Sequence, residues 1–250
     1  MWNADEARAF AGYLSPQAGA DQDRVVDAVL RAGEQVRQAR HQLTEEVAKT
    51  SIGHLRGFLA ADVCDRLDQH LRERSDIVVE RVEASEGRWQ IDLIDNAYLP
   101  LSETVALDPF SVLCLSTNFI SAMAEISGFS RRTITTRRWV NRYAAGDSIT
   151  PHDDTTGDYQ IMICVDAPPV EYGGELQFED GTRADLQRGD LLIMKHAGLV
   201  HWTTPLANDT PGERATATCR YYVEDGRLPR SKVYAHSLAG PKTGPRSKGD

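Results

Sequence analysis

The residues best suited to metal chemistry are His152, Asp154 and a histidine further along the chain. In the run His152-Asp153-Asp154 the outer two are two positions apart. On an extended segment side chains alternate between faces, so His152 and Asp154 would share one face while Asp153 points away. An imidazole and a carboxylate suit Fe(II), and a second imidazole would complete a two-histidine, one-carboxylate facial set with three positions open to other ligands. His196 and His201 are the candidates for it. His201 opens the β-like run His201-Trp202-Thr203-Thr204 after the apolar Leu199-Val200 and is preferred. His196 follows the run Asp190–Lys195 and reads as a pocket or loop residue.

A second group is built for an anion. Arg214 and Thr216 alternate with Ala215 at the start of the run Ala215–Tyr222, so a guanidinium and a hydroxyl would share one face. The planar fork of arginine binds a carboxylate through two parallel hydrogen bonds. A 2-oxo diacid chelating a metal at one end would need such an anchor at the other. Upstream, Trp139, Asn141 and Tyr143 alternate on one strand face, with Arg138 and Arg142 on the other. Any of these could shape a pocket.

The order Tyr143-x-x-Gly146, His152-x-Asp154, Gly173-Gly174-Glu175-Leu176-Gln177-Phe178, Gly189-Asp190, His201 and Gly212-Glu213-Arg214 resembles the 2-oxoglutarate/Fe(II)-dependent dioxygenase superfamily, nearest its prolyl-4-hydroxylase-like branch. The likeness spans roughly residues 130–225, with a looser one at Gly57-Phe58-Leu59-Ala60 and Cys64. It implies a double-stranded β-helix (jelly-roll, cupin-like) core. It also implies Fe(II) held by His152, Asp154 and His201, with 2-oxoglutarate held by Arg214 and contacted by Tyr143 and Thr216, and O2 as the other cosubstrate. The reaction implied is hydroxylation coupled to conversion of 2-oxoglutarate into succinate and CO2, with desaturation or ring closure as branches. Collagen-modifying relatives carry lysine where this chain has Arg214, and halogenating relatives lack the carboxylate present here as Asp154. These departures lean away from collagen-type enzymes and favour hydroxylation, and a compact single domain without a visible peptide- or nucleic-acid-binding module leads us to expect a small-molecule substrate, such as an amino acid or biosynthetic intermediate. A protein or peptide hydroxylase and a non-catalytic metal-binding jelly-roll are the alternatives.

Elements that could position these groups follow from periodicity. Helical spacing of apolar residues predicts helices over Asp21–Thr50, Ala60–Arg74 and Pro109–Ile126, the last ended by Gly128. The second half changes to short β-rich runs: Thr133–Tyr143, Tyr159–Val165, Glu175–Glu179, Asp190–Met194, Val200–Thr204 and Arg214–Val223. Turn residues separate them. The expected architecture is α+β, with a helical N-terminal layer over a jelly-roll core in one domain. Residues 1–130 form mainly helical support, 131–228 the core, and 229–250 a polar tail expected to be flexible.

Composition bounds the partners. A net charge of -9 argues against general nucleic-acid or anionic-membrane binding. There is no run of about 18 apolar residues, so no spanning helix is expected. The first residues, Met1-Trp2-Asn3-Ala4-Asp5-Glu6, lack a basic and apolar leader. Cys64, Cys114, Cys164 and Cys219 are scattered in apolar surroundings and form no paired-disulfide or Cys-x-x-Cys pattern. They read as buried reduced thiols in a cytoplasmic protein. A homodimer is compatible with all of this.

Overall fold

The computed structural model describes residues 20–74, 77–94, 108–128, 134–154, 157–195 and 199–223. His196, the N-terminal residues 1–19 and the expected tail 229–250 lie outside the described residues.

Among the described residues, eleven strands form one curled antiparallel sheet. In chain order they are β1 (Ile52–Leu55), β2 (Val78–Ala84), β3 (Gly87–Leu93), β4 (Ile134–Tyr143), β5 (Ser148–His152), β6 (Tyr159–Asp166), β7 (Leu176–Phe178), β8 (Arg183–Ala184), β9 (Leu191–Lys195), β10 (His201–Thr203) and β11 (Arg214–Val223). Their spatial order is β1-β9-β6-β11-β4-β3-β5-β10-β7-β8, with β2 paired to β3. Short pairing of Gly87 and Arg88 with Ile149 and Ser148 joins the larger half of the sheet to the smaller one. The halves curl over an apolar interior in which Met162, Cys164, Leu192 and Met194 meet Leu176, Phe178 and Leu186. This is the expected jelly-roll core.

Among the described residues, four α-helices cover the outer face of the larger half: α1 (Ala20–Thr50), α2 (Ala61–Glu73), α3 (Pro109–Leu115) and α4 (Thr117–Ser127). In α1, Val25, Val29, Ala32, Val36, Leu43 and Val47 recur at helical spacing and are buried. They share a core with Leu67 and Leu71 of α2 and with the outward residues of the strands, among them Val140, Ile161, Ile163, Leu191, Ala215 and Ala217. The expected helix over Pro109–Ile126 is two helices. Ser116 leaves helical dihedrals (φ -66, ψ 139) and its side chain accepts from Phe119 N at 3.3 Å, which caps α4. Asp108 caps α3, accepting from Ser111 N at 2.8 Å with Pro109 at the first helical position. Among the described residues, no helix is long and apolar enough to cross a membrane.

The first half is less uniformly helical than its sequence suggests, because β1, β2 and β3 come from it. β1 extends one edge by pairing Ile52–Leu55 with Met194–Leu191. Asp190 locks that edge: its carboxylate accepts from Gly57 N at 2.8 Å and from Gln187 N at 3.1 Å, and lies 3.0 Å from His54 Nε2. The hairpin β2–β3 is held by Asp147, whose side chain is fully buried. Asp147 takes two hydrogen bonds of 2.6 Å from Arg81, one of 2.8 Å from Arg88 and one of 2.9 Å from Ala144 N.

Burial pushes the Asp147 carboxyl upward, but the hydrogen bonds from Arg81, Ala144 and Arg88 outweigh it and hold it below its ordinary 3.8. A depressed carboxyl contributes stability that is present above pH 3.8 and is lost as pH falls through the folded value. Asp147→Asn is therefore expected to lower stability by about 1–2 kcal/mol at pH 7, with a gap from wild type that narrows below pH 4. Urea midpoints at pH 7 and pH 3 measure this, and a gap constant with pH would contradict it.

On the outer face, Arg142 is buried among three carboxylates. It donates to Glu213 at 2.9 Å and to Asp92 of β3, and forms an ion pair with Asp68 of α2 at 2.7 Å. Arg72 of α2 also pairs with Asp68 (2.7 Å) and Glu213. The helical layer is thereby tied to the residue immediately before Arg214.

Candidate metal and anion site

β5 and β10 run antiparallel, and His152 and His201 are direct register partners. Their ring centroids lie 4.4 Å apart. Asp154 follows β5 by two residues, and its Oδ2 is 3.5 Å from His201 Nε2. The ligand atoms of His152, Asp154 and His201 all lie within 4.8 Å of one another. Asp153 between them is exposed, as alternation requires. Among the described residues, this is the one such group of three or more.

The two imidazoles are oriented through their other nitrogens. His152 Nδ1 lies 2.8 Å from the Thr150 carbonyl oxygen, and His201 Nδ1 lies 3.1 Å from that of Leu199. A proton on each Nδ1 would donate to those carbonyls, leaving both Nε2 lone pairs for a metal. Burial, above all, pushes His201 below its ordinary 6.5, and the neighbouring His152 and Arg220 act in the same sense against Asp154. The neutral imidazole that a metal requires is thus the favoured form.

Arg220, which motif reading missed, holds the carboxylate. Its guanidinium donates to Asp154 Oδ2 at 2.7 Å and to Gln160 Oε1 at 3.0 and 3.1 Å. It also lies 5.0 Å from the centre of the Trp139 ring. At Gly157 (φ 94) a Cβ would come within 2.6 Å of the Arg220 methylenes, so glycine allows the backbone there to approach that side chain closely.

Arg214, Thr216, Thr218 and Arg220 alternate along β11 on the interior face. Thr216, Thr218 and Arg220 pair with Cys164, Met162 and Gln160 of β6, and Cys164 and Met162 belong to the interior core. On the other side Arg214, Thr216 and Thr218 pair with Tyr143, Asn141 and Trp139 of β4. The structure therefore puts Tyr143, Arg214 and Thr216 on the same face as the histidines and Asp154.

Arg214 is 5% exposed, and its Nε has no hydrogen-bond partner. No carboxylate pairs with its guanidinium among the described residues. A buried cation without a counter-charge is costly, so this one calls for an anionic ligand. Gly174 (φ 75) leaves room beside it: a Cβ there would lie 2.7 Å from Leu206 Cδ2 and 3.2 Å from Arg214 Cδ. Tyr143 is buried next to it, with its hydroxyl 3.5 Å from Thr203 Oγ1. Burial pushes that phenol up to about 12, so it stays a neutral donor. The donor set thus fits a divalent metal, and the orphaned guanidinium fits the far carboxylate of a chelating diacid.

No protein-family model matches the chain, and a comparison with curated proteins finds no match. Solved structures do match. A 2OG-Fe(II) oxygenase family oxidoreductase from Burkholderia pseudomallei is 16% identical with a TM-score of 0.57, covering 73% of this chain and 90% of its own. A Pseudomonas putida prolyl-4-hydroxylase is 17% identical with a TM-score of 0.56, covering 74% and 98%. The epimerase SnoN, solved with Fe3+, alpha ketoglutarate and nogalamycin RO, is 15% identical with a TM-score of 0.57, covering 75% and 84%. These likenesses establish a shared fold, the double-stranded β-helix.

Proposed function

We propose that the chain is an Fe(II)- and 2-oxoglutarate-dependent dioxygenase that hydroxylates a small molecule, such as an amino acid or biosynthetic intermediate, in the cytoplasm. The observation that carries this reading is one interior face bearing both a His-Asp-His set and a buried arginine without a counter-ion. Either feature alone occurs in structural roles, but together they match a metal and an anionic chelator of the metal. The fold neighbours, one of them solved with iron and alpha ketoglutarate, support the same assignment.

In this reading His152, Asp154 and His201 would hold Fe(II), which with 2-oxoglutarate and O2 would supply the oxidising power. The chain's own contribution is geometric and electrostatic. The Thr150 and Leu199 carbonyls turn Nε2 of both histidines toward the metal. Arg220 holds Asp154 in place through a 2.7 Å ion pair. Arg214 takes the far carboxylate of 2-oxoglutarate, with Tyr143 and Thr216 beside it. The apolar interior around Met162, Leu176 and Phe178 excludes water from the reacting face. Four free buried cysteines agree with a reducing compartment.

The test is succinate formation by purified protein supplied with Fe(II), ascorbate, O2 and 2-oxoglutarate. Slow succinate release without a prime substrate is expected, accelerated by individual members of a metabolite panel. Succinate release equal to that of His201→Ala protein would reject the reading.

A further inference from the structure

The interior face carries a third arginine. Arg137 of β4 stands directly opposite Arg220 of β11 in the ladder, so the two side chains rise from the same face with Cβ atoms about 5 Å apart. Both guanidinium groups lie on one indole: Arg220 Cζ is 5.0 Å and Arg137 Cζ 5.9 Å from the Trp139 ring centre. Like charges directly opposite one another across a ladder oppose pairing. Asp154 answers one of these two charges. Arg137 is half-buried and has no carboxylate partner among the described residues. The result is one uncompensated positive charge, stacked on an aromatic ring, one strand away from the arginine that grips the metal-binding carboxylate. Close by, Thr218 pairs with Trp139 in register, is fully buried, and has a hydroxyl with no partner. Arg214, by contrast, lies at the far end of β11 beside Tyr143, so the two cationic positions are separate.

We infer that Arg137, with Trp139 beneath it, is the recognition point for an anionic group on the prime substrate, a carboxylate or a phosphate. This rests on the oxygenase reading of the site, because it takes the space beside Asp154 to be where substrate lies. The anion would offset the charge that Asp154 leaves unanswered, and Trp139 would support the guanidinium by a cation–π contact. The fork of arginine suits either oxyanion. Placed there, the anion orients the rest of a small molecule toward the metal and away from the Arg214 end.

The test uses protein loaded with Zn(II), as a redox-inert metal, and saturated with 2-oxoglutarate. Its tryptophan indole N–H signals are followed by 1H–15N correlation spectra, with Trp139 identified from Trp139→Phe protein. Inorganic phosphate, 3-phenylpropionate and the neutral 3-phenylpropionamide are titrated separately. A saturable shift of the Trp139 signal is expected with at least one of the two anions and not with the amide. In Arg137→Gln protein the midpoint should move at least ten-fold higher, while the rest of the spectrum overlays that of wild type. A phosphate response alone assigns a phosphorylated substrate, and a carboxylate response alone assigns an acid. No anion-dependent shift in wild type, or the same midpoint in Arg137→Gln, overturns the inference. Failure of 2-oxoglutarate itself to bind the Zn(II) protein would instead reject the oxygenase reading, and the Arg137 comparison would still report on the anion.

Discussion

Arg214→Met is expected to weaken 2-oxoglutarate binding by roughly 30-fold or more while leaving the ligand-free protein at least as stable as wild type. Truncating one partner of a buried hydrogen-bonded charge pair costs about 2–5 kcal/mol of binding, and 1.4 kcal/mol is about ten-fold. The stability half of the expectation has the opposite sign for a physical reason. Without ligand, Arg214 is a buried cation whose Nε lacks a partner, and replacing such a charge by an apolar side chain of similar length removes a desolvation cost. Two thermal melts and one titration decide the matter. Wild type should gain melting temperature on adding 2-oxoglutarate with metal, and Arg214→Met should gain little. A variant that melts far below wild type and still binds 2-oxoglutarate normally would show that Arg214 is a structural arginine.

Asp154→Asn is expected to reduce succinate formation by more than about 100-fold, beyond the 10–100-fold typical of residues that merely support metal ligands. Asparagine retains an oxygen that can accept from Arg220, so the variant should fold, whereas alanine would remove the carboxylate that faces the largely buried Arg220. Metal content after dialysis and succinate release are the two readouts. Full turnover in Asp154→Asn would remove Asp154 from the ligand set. Arg220→Gln provides the contrast: a positioning residue should alter metal affinity and spare some turnover at saturating metal.

Much of this site was legible because strand alternation is a strict rule. From the sequence it pairs His152 with Asp154 and Arg214 with Thr216, and the structure places all four as alternation demands. What stayed hidden depended on pairing across the sheet. Arg220 has no local signal, since its partner Asp154 lies in a distant segment two residues past β5, and Arg137 acquires meaning only by standing opposite Arg220. Two of the strands missing from the sequence reading, β2 and β5, have a physical reason for it. β2 is exposed at nearly every position, so its apolar alternation is missing. β5 contains Pro151 and is largely solvent-facing, which ordinarily argues against a strand. The single helix expected over Pro109–Ile126 failed at Ser116, where the competition between side-chain capping and helix continuation went to the cap.

The register pairing of His152 with His201 also has a consequence for how the molecule folds. Each histidine belongs to a different short strand, and the two meet only when β5 and β10 have paired and the smaller half of the sheet has closed. An unfolded chain can offer a metal only the local His-x-Asp pair, so binding is strongly selective for the native state. Free metal at 100 times its dissociation constant would then add about 2.7 kcal/mol to global stability. Because long-range strand pairing is intrinsically slow, the metal would act mainly by slowing escape from the closed sheet rather than by hastening its formation.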